Sequence, residues 1–277
     1  EGYSAKSGII SGLSREDRNY IGVYPLKGKP MNVRDVGIKK ISENVENSQI
    51  KQILGLESGK AYTPEMVSSS LRYGKVLFMT DQDLDGVHIK GLCINLIHTQ
   101  WKELIQVPNF IGFMNTPIIK AKKGNTEMVF YNQNEYDVWK KTLTSVQEAR
   151  WKIKYYKGLG TSTGKEFKEY FAHKRIVYFE YADDGETERS LDLLFDKHKA
   201  DERKEWLEGY DRTSVLDTSK THVSYPEFVH KEMIHFSKYD CERNIPNGID
   251  GLKTSQRKIL YGALKRNLTS EIKVAQF

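Results

Sequence analysis

The hydrophobic rhythm of the chain changes sharply between Tyr73 and Ile105. Val76-Leu77-Phe78-Met79 is a continuous apolar run between Tyr73-Gly74-Lys75 and Thr80, which predicts a strand buried on both faces. Asp81-Gln82-Asp83-Leu84-Asp85-Gly86 then interrupts it. Beyond this turn, Ile89, Leu92, Leu96, Trp101, Leu104 and Ile105 recur at helical spacing and predict a helix with one apolar face. Open α/β sheets bind ligands where a parallel strand ends and its helix begins.

The pattern elsewhere is plainer. Gly8 and Gly12 weaken a helix near the start but allow close packing against a sheet. Tyr20-Ile21-Gly22-Val23-Tyr24 predicts a strand stopped by Pro25. Residues 38–54 read as a helix and 58–70 as an exposed connection. Strand character returns at 110–120 and 129–131, and helical character at 134–141 and 200–210. From Pro226 the texture becomes helix, turn and helix, with Ile245-Pro246-Asn247-Gly248 as the break before 254–267.

The 277 residues, 38% apolar and 29% charged, suit a globular protein with more than one folding unit. No apolar stretch approaches the ~20 residues that span a membrane, and no secretory signal pattern is present. The two cysteines, Cys93 and Cys241, have no metal-ligand spacing and suggest a reducing compartment. A net charge of +6 is weak evidence for a polyanionic partner, but its distribution is uneven. Basic residues gather with aromatics between Arg150 and Arg175, and again at Lys253, Arg257, Lys258, Lys265 and Arg266.

Side chains alternate along an extended segment, so Asp81, Asp83 and Asp85 start out on one side. Like charges ~4 Å apart repel by about 1 to 4 kcal/mol, so such a cluster raises a pKa or holds a cation. Oxygen donors alone favour a hard divalent ion such as magnesium. An EF-hand is excluded, because its twelfth loop position is Leu92 where a bidentate Glu is needed. His88, at the helix start, reads as a packing residue. The Lys154-Tyr155-Tyr156-Lys157-Gly158-Leu159-Gly160-Thr161 segment offers glycines and lysines to a phosphate backbone. It is not a P-loop, since Gly164-Lys165 is followed by Glu166.

Five blocks in order resemble the type IIA DNA topoisomerases: Glu1-Gly2-x-Ser4-Ala5, the stretch from Pro25 to Val33, Asp81 to Lys90, Tyr155 to Thr161, and Ile245 to Tyr261. The wording around Met79-Thr80-Asp81 and Lys154-Tyr155-Tyr156-Lys157 is closer to the eukaryotic and large-DNA-virus branch than to bacterial gyrase. The resemblance implies an α/β Toprim fold, Rossmann-like, with a mainly parallel sheet flanked by helices. The beginning of a helical winged-helix domain follows. The expected division is a Toprim domain with its extension over 1–175, a connecting segment over 176–230, and the winged-helix start over 231–277.

The same resemblance assigns roles. Glu1, Asp81 and Asp83 are expected to be catalytic. Glu1, Asp81, Asp83 and Asp85 are the expected Mg2+ ligands, with Mn2+ or Ca2+ able to substitute. Lys27, Lys29, Asn32, Lys157, Gly158, Gly160, Lys253, Gln256, Arg257 and Lys258 are expected to meet double-stranded DNA. Ile259, Leu260, Ala263 and Leu264 are expected to bury the other side of that last helix. The implied reaction is reversible double-strand cleavage by a tyrosine beyond this chain, allowing duplex passage. ATP would be used by a domain not found here, the enzyme would be a homodimer with no membrane contact, and the fragment alone would be inactive. The compartment is the nucleus for a cellular enzyme, or host cytoplasm or virion for a viral one.

Tyr3 stands where the family usually has Asp, Lys27 where Arg is commoner, and Pro30 stiffens that loop. A different Toprim enzyme, a nuclease or primase, would share the acidic residues without needing the Lys157-Gly158 or Gln256-Arg257-Lys258 blocks. A non-catalytic DNA-binding module would have no reason to keep the carboxylates.

Overall fold

The computed structural model describes residues 2–277; Glu1, expected to be a metal ligand, lies outside them. The strands are β1 (Val76–Phe78), β2 (Ile111–Met114), β3 (Ile119–Lys123), β4 (Thr126–Phe130), β5 (Lys152–Tyr155), β6 (Ile176–Glu180) and β7 (His222–Ser224). They form two sheets. The larger has the order β1-β2-β6-β7. β1 runs parallel to β2 in the register Val76↔Ile111, β2 is antiparallel to β6, and β6 is parallel to β7. The smaller sheet, β4-β3-β5, is wholly antiparallel. Strand character at 110–120 therefore splits between two sheets. Residues 176–230, expected as a connector, supply β6 and β7 to the same sheet as β1.

All four residues of β2 are buried, as a central strand covered on both faces requires. In β6 only Val177 and Phe179 turn inward. Phe179 stacks on Tyr225 at 5.1 Å and meets Phe228 edge-on. The helix Leu84–Gln100 crosses this core, and every residue from Gly86 to His98 except His88 is buried. It is thus covered nearly all round rather than on one face, because the sheet lies on one side and the chain from Tyr225 to Asn244 packs on others.

Several expectations need correction. β1 is only half-buried, because it is an edge strand beside an apolar cavity of about 380 Å³ lined by Val23, Tyr24, Leu26, Leu77, Phe78 and Ile97, among others. Residues 20–24 form no strand, and Pro25 offers no N–H to extend one. The 38–54 helix is broken at Asn44, whose side chain caps the second half, Val45–Leu54, by accepting from Asn47 N–H. The 58–70 connection contains a helix, Pro64–Ser70, capped by Thr63. The small-residue helix Gly2–Gly12 packs through Gly8 and Gly12 on Phe167 of the helix Gly164–His173, while its Ala5 and Ile9, with Leu13 just beyond, share a core cluster with Met114 of β2. Ile259, Leu260 and Leu264 are exposed, and Ala263 is half-buried. Nothing in the described chain covers that face of the helix Thr254–Lys265 beyond Phe277 near Gly262. No helix of the described residues is long and apolar enough to cross a membrane.

Candidate active site

The acidic turn sits where β1 ends and the Leu84–Gln100 helix begins. Asp83 is the N-cap, its Oδ1 accepting from Gly86 N–H at 2.8 Å. The turn closes so tightly that a Cβ on Gly86 would lie 2.1 Å from the carbonyl oxygen of Asp81. Asp81 Oδ1 accepts from Leu159 N–H at 2.7 Å. This bond fastens the turn to the Lys157-Gly158-Leu159-Gly160 loop, 78 residues further on. Gln82 adds a bond to Thr116 Oγ1 at 3.3 Å.

The three aspartates do not share one point. Asp85 pairs with Lys29 Nζ at 2.7 Å and with the Arg243 guanidinium at 3.3 Å. Lys29, followed by Arg243, outweighs partial burial and holds its carboxyl below the ordinary range. Among the described residues, the group whose three ligand atoms lie within 4.8 Å of one another is instead Asp35, Asp196 and His198, on the surface elsewhere. Asp81 and Asp83 each keep one oxygen, Oδ2, without a hydrogen-bond partner among the described residues. Those two oxygens are donors of the type a hard cation takes; Asp85, with both oxygens engaged by cations, does not fit as a further ligand in this arrangement. His88 stacks on Phe236 at 3.9 Å. Burial, helped by the Lys29 charge, pushes its imidazole down to about 4, which agrees with packing.

The expected DNA contacts divide into two groups. Lys27, Lys157 and Lys258 are exposed, and no ion pair of their ammonium groups occurs among the described residues. Gly158 and Gly160 flank the bond to Asp81. By contrast, Asn32 is used internally: its Nδ2 donates to Phe195 C=O at 3.1 Å, and its Oδ1 accepts from Asn95 at 2.8 Å. Gln256 accepts from Lys253 N–H. Arg257 forms a two-pronged pair with Asp250, both bonds 2.8 Å. These last residues hold the turn before their helix. The basic 150–175 stretch is also partly neutralised, with Lys154 on Glu166 and Lys174 on Asp17.

Two features were not foreseen from the sequence. Arg243 reaches the acidic turn from the helix Ile234–Asn244, and no spacing links positions 85 and 243. Lys90, inside the Leu84–Gln100 helix, is buried against Glu232 at 3.0 Å and lies 4.2 Å from the Phe113 ring centroid. Glu232 belongs to a π-helical turn, Val229–Met233, and a lysine among apolar residues was the available signal.

Residues 114–241 match the family model described as the C-terminal associated domain of TOPRIM. The chain is 45% identical over 280 residues to DNA topoisomerase 2 of Plasmodium falciparum, covering all of this chain and 20% of that protein. It is 48% identical to DNA topoisomerase 2 of Arabidopsis thaliana, covering 100% of this chain and 19% of the relative. It is 47% identical to DNA topoisomerase 2-beta of Gallus gallus, covering 100% and 18%. A crystal structure of the Plasmodium falciparum topoisomerase II DNA-binding, cleavage and re-ligation domain superimposes with a TM-score of 0.86 at 45% identity, over 100% of this chain and 37% of that one. The chain thus spans about a fifth of the length of the curated relatives it matches.

Fold and matched family model together define a Toprim-type α/β core. Within that class, the chain belongs to the type II DNA topoisomerases.

Proposed function

We propose that this chain supplies the ion-holding and DNA-gripping part of an ATP-dependent type II topoisomerase that cleaves and reseals double-stranded DNA. The observation that carries the reading is the Asp81–Leu159 bond. It brings a carboxylate at the end of β1 against a glycine-lysine loop with a free cation, so metal and DNA backbone would share one place.

Asp81 and Asp83, joined by Glu1 from the family resemblance, are the residues we assign to hold the ion; oxygen-only donors favour Mg2+, with Mn2+ or Ca2+ as substitutes. When bound, the ion supplies neutralisation of charge on the phosphate oxygens and on the departing 3′ oxygen. Asp81 is oriented by the Leu159 N–H, and Asp83 by its own cap bond, each through its Oδ1. Lys27 and Lys157 supply phosphate contacts that grip without reading sequence. None of the tyrosines here is assigned as the nucleophile. The proposal extends to a homodimer, to ATP use by another part of the polypeptide, and to a winged-helix role for residues from about 231. A nuclear location is favoured over a viral one by the eukaryotic relatives.

The test is Mg2+-dependent cleavage of plasmid DNA by the full-length polypeptide, beside an Asp81→Ala, Asp83→Ala double variant. Protein-linked double-strand breaks that vanish in the variant are expected. Breaks with free ends would instead indicate a Toprim nuclease. DNA binding without any breaks would indicate a non-catalytic module.

A further inference from the structure

We propose that Asp85 is an electrostatic latch rather than an ion ligand: it fastens the Ile234–Asn244 helix and the 27–33 loop to the acidic turn, and DNA phosphate releases it by competing for Lys29 and Arg243. Three segments far apart in sequence meet on this one carboxylate. Lys29 Nζ approaches Oδ1 at 2.7 Å. Arg243 Nη1 lies 3.4 Å from Oδ1 and 3.3 Å from Oδ2, and Nη2 lies 3.3 Å from Oδ1. Both oxygens are therefore taken by protein cations. An ion ligated there would have to sit beside two positive charges.

The geometry of the latch suits exchange. Arg243 makes a tight bond to Asp240 at 2.8 Å but only long ones to Asp85. Its fork is thus incompletely used, and a phosphodiester offers the paired oxygens that a guanidinium prefers. The side chains of Lys29, Asp85 and Arg243 are 37%, 38% and 32% exposed, so the pairs are weak and salt-screened. Aromatic rings keep both cations in place when they lose Asp85: Lys29 lies 4.8 Å from the Phe236 centroid and Arg243 4.8 Å from that of Tyr239. Both rings belong to the helix that the latch holds. Opening the latch would leave the cations on that helix and loop, turned from an internal acid to an external one.

The competition half of the proposal rests on the DNA-binding reading above; the latch itself does not. Hydrogen exchange of the full-length polypeptide without metal tests the latch, comparing the natural protein with Asp85→Asn, Asp85→Glu and Arg243→Gln. We expect Asp85→Asn and Arg243→Gln to speed exchange across residues 237–244 by about tenfold through local opening, and Asp85→Glu to restore protection. Unchanged exchange in both neutral variants would overturn the latch. A short DNA duplex, its binding verified by fluorescence anisotropy, should speed exchange over the same residues in the natural protein. Bound duplex without that change overturns the competition, whereas failure of the duplex to bind at all removes the DNA reading and leaves the latch to its metal-free test. Mn2+ binding followed by electron paramagnetic resonance should weaken less than about threefold in Asp85→Asn, as loss of a nearby rather than ligating charge predicts. A loss as complete as that in Asp81→Ala would show Asp85 to be a ligand and overturn the proposal.

Discussion

Leu159 donates its backbone N–H to Asp81 Oδ1 at 2.7 Å, so the carboxylate at the end of β1 is aimed by a loop 78 residues away. The neighbouring Gly158 is pressed against the same group, and a Cβ there would stand 2.2 Å from Oδ2. Its φ of −173° is ordinary extended backbone, so the constraint is contact alone. Gly158→Ala should therefore displace Asp81 or the loop at an overpacking cost of about 1–3 kcal/mol. The expected outcome is at least about tenfold weaker Mn2+ binding, with far-ultraviolet dichroism unchanged. Natural affinity in this variant would show that Asp81 is not held as described.

Asp83 has two separable tasks. As N-cap it satisfies Gly86 N–H, which is worth about 1 kcal/mol, and as a carboxylate it is assigned to the ion. Asp83→Asn keeps the capping oxygen and removes the charge. It should retain its melting temperature while losing metal affinity. Asp83→Ala should lose affinity and also melt roughly 2–4 °C lower. Equal melting temperatures for the two variants would mean that the cap contributes nothing.

What the sequence made legible was local. Asp81 to Gly86 announced a turn between strand and helix because four apolar residues precede it and a buried helix follows. The broken helix at Asn44 was local too, but it needed the N-cap preference to be weighed against continuous periodicity. What stayed hidden depends on chain reversal. The Lys29–Asp85–Arg243 meeting needs the Ile234–Asn244 helix to pack beside the acidic turn, and no motif spacing encodes that distance. Asn32 was expected at the DNA, but its amide bonds a buried partner, Asn95, that is visible only after folding.

Glu166 gives the glycine loop a pH limit. Its burial would raise the carboxyl pKa, but the Lys154 ammonium, Thr163 N–H and the Tyr156 hydroxyl outweigh it and hold the group at about 2, from an ordinary 4.5. A depressed folded-state pKa adds stability above about 4.5, and that contribution is lost as pH falls toward 2. Urea unfolding between pH 5 and 2 should show this loss, and Glu166→Gln, which keeps the capping geometry, should flatten it. Parallel pH profiles for the two proteins would remove Glu166 as the source.

The DNA-binding residues should separate by salt dependence. Lys27→Ala, Lys157→Ala and Lys258→Ala should each lower the magnitude of the log affinity against log salt slope by about 1. Asn32→Ala should leave the slope alone and destabilise the fold, since it strips the fully buried Asn95 amide of its acceptor at a cost of about 1–3 kcal/mol. Anisotropy titrations across a salt series, paired with urea melts, read both effects. An Asn32→Ala slope change with unchanged stability would restore it to the DNA interface.

The Lys90–Glu232 pair sets how firmly the Leu84–Gln100 helix stays under the acidic turn. Lys90 is 2% exposed, and its ammonium has Glu232 at 3.0 Å and the faces of Phe113 and Phe228 as its surroundings. Glu232 Oε2 is buried with no hydrogen-bond partner in the described structure. Removing the lysine charge would leave a half-buried carboxylate whose Oε1 has lost its ammonium and whose buried Oε2 has no partner. Lys90→Met should thus cost about 3–5 kcal/mol, the range for stranding one member of a buried ion pair. The double variant Lys90→Met, Glu232→Gln removes the charge as well as its partner and should recover most of that loss, because two desolvated ions disappear together. If the pair were only a surface-like contact, the single variant would cost less than about 1 kcal/mol and the double would gain nothing. Urea unfolding of the natural protein and these variants distinguishes the two, and coupling of that size would identify the π-helical turn as the device that carries Glu232 to the helix bearing the acidic turn.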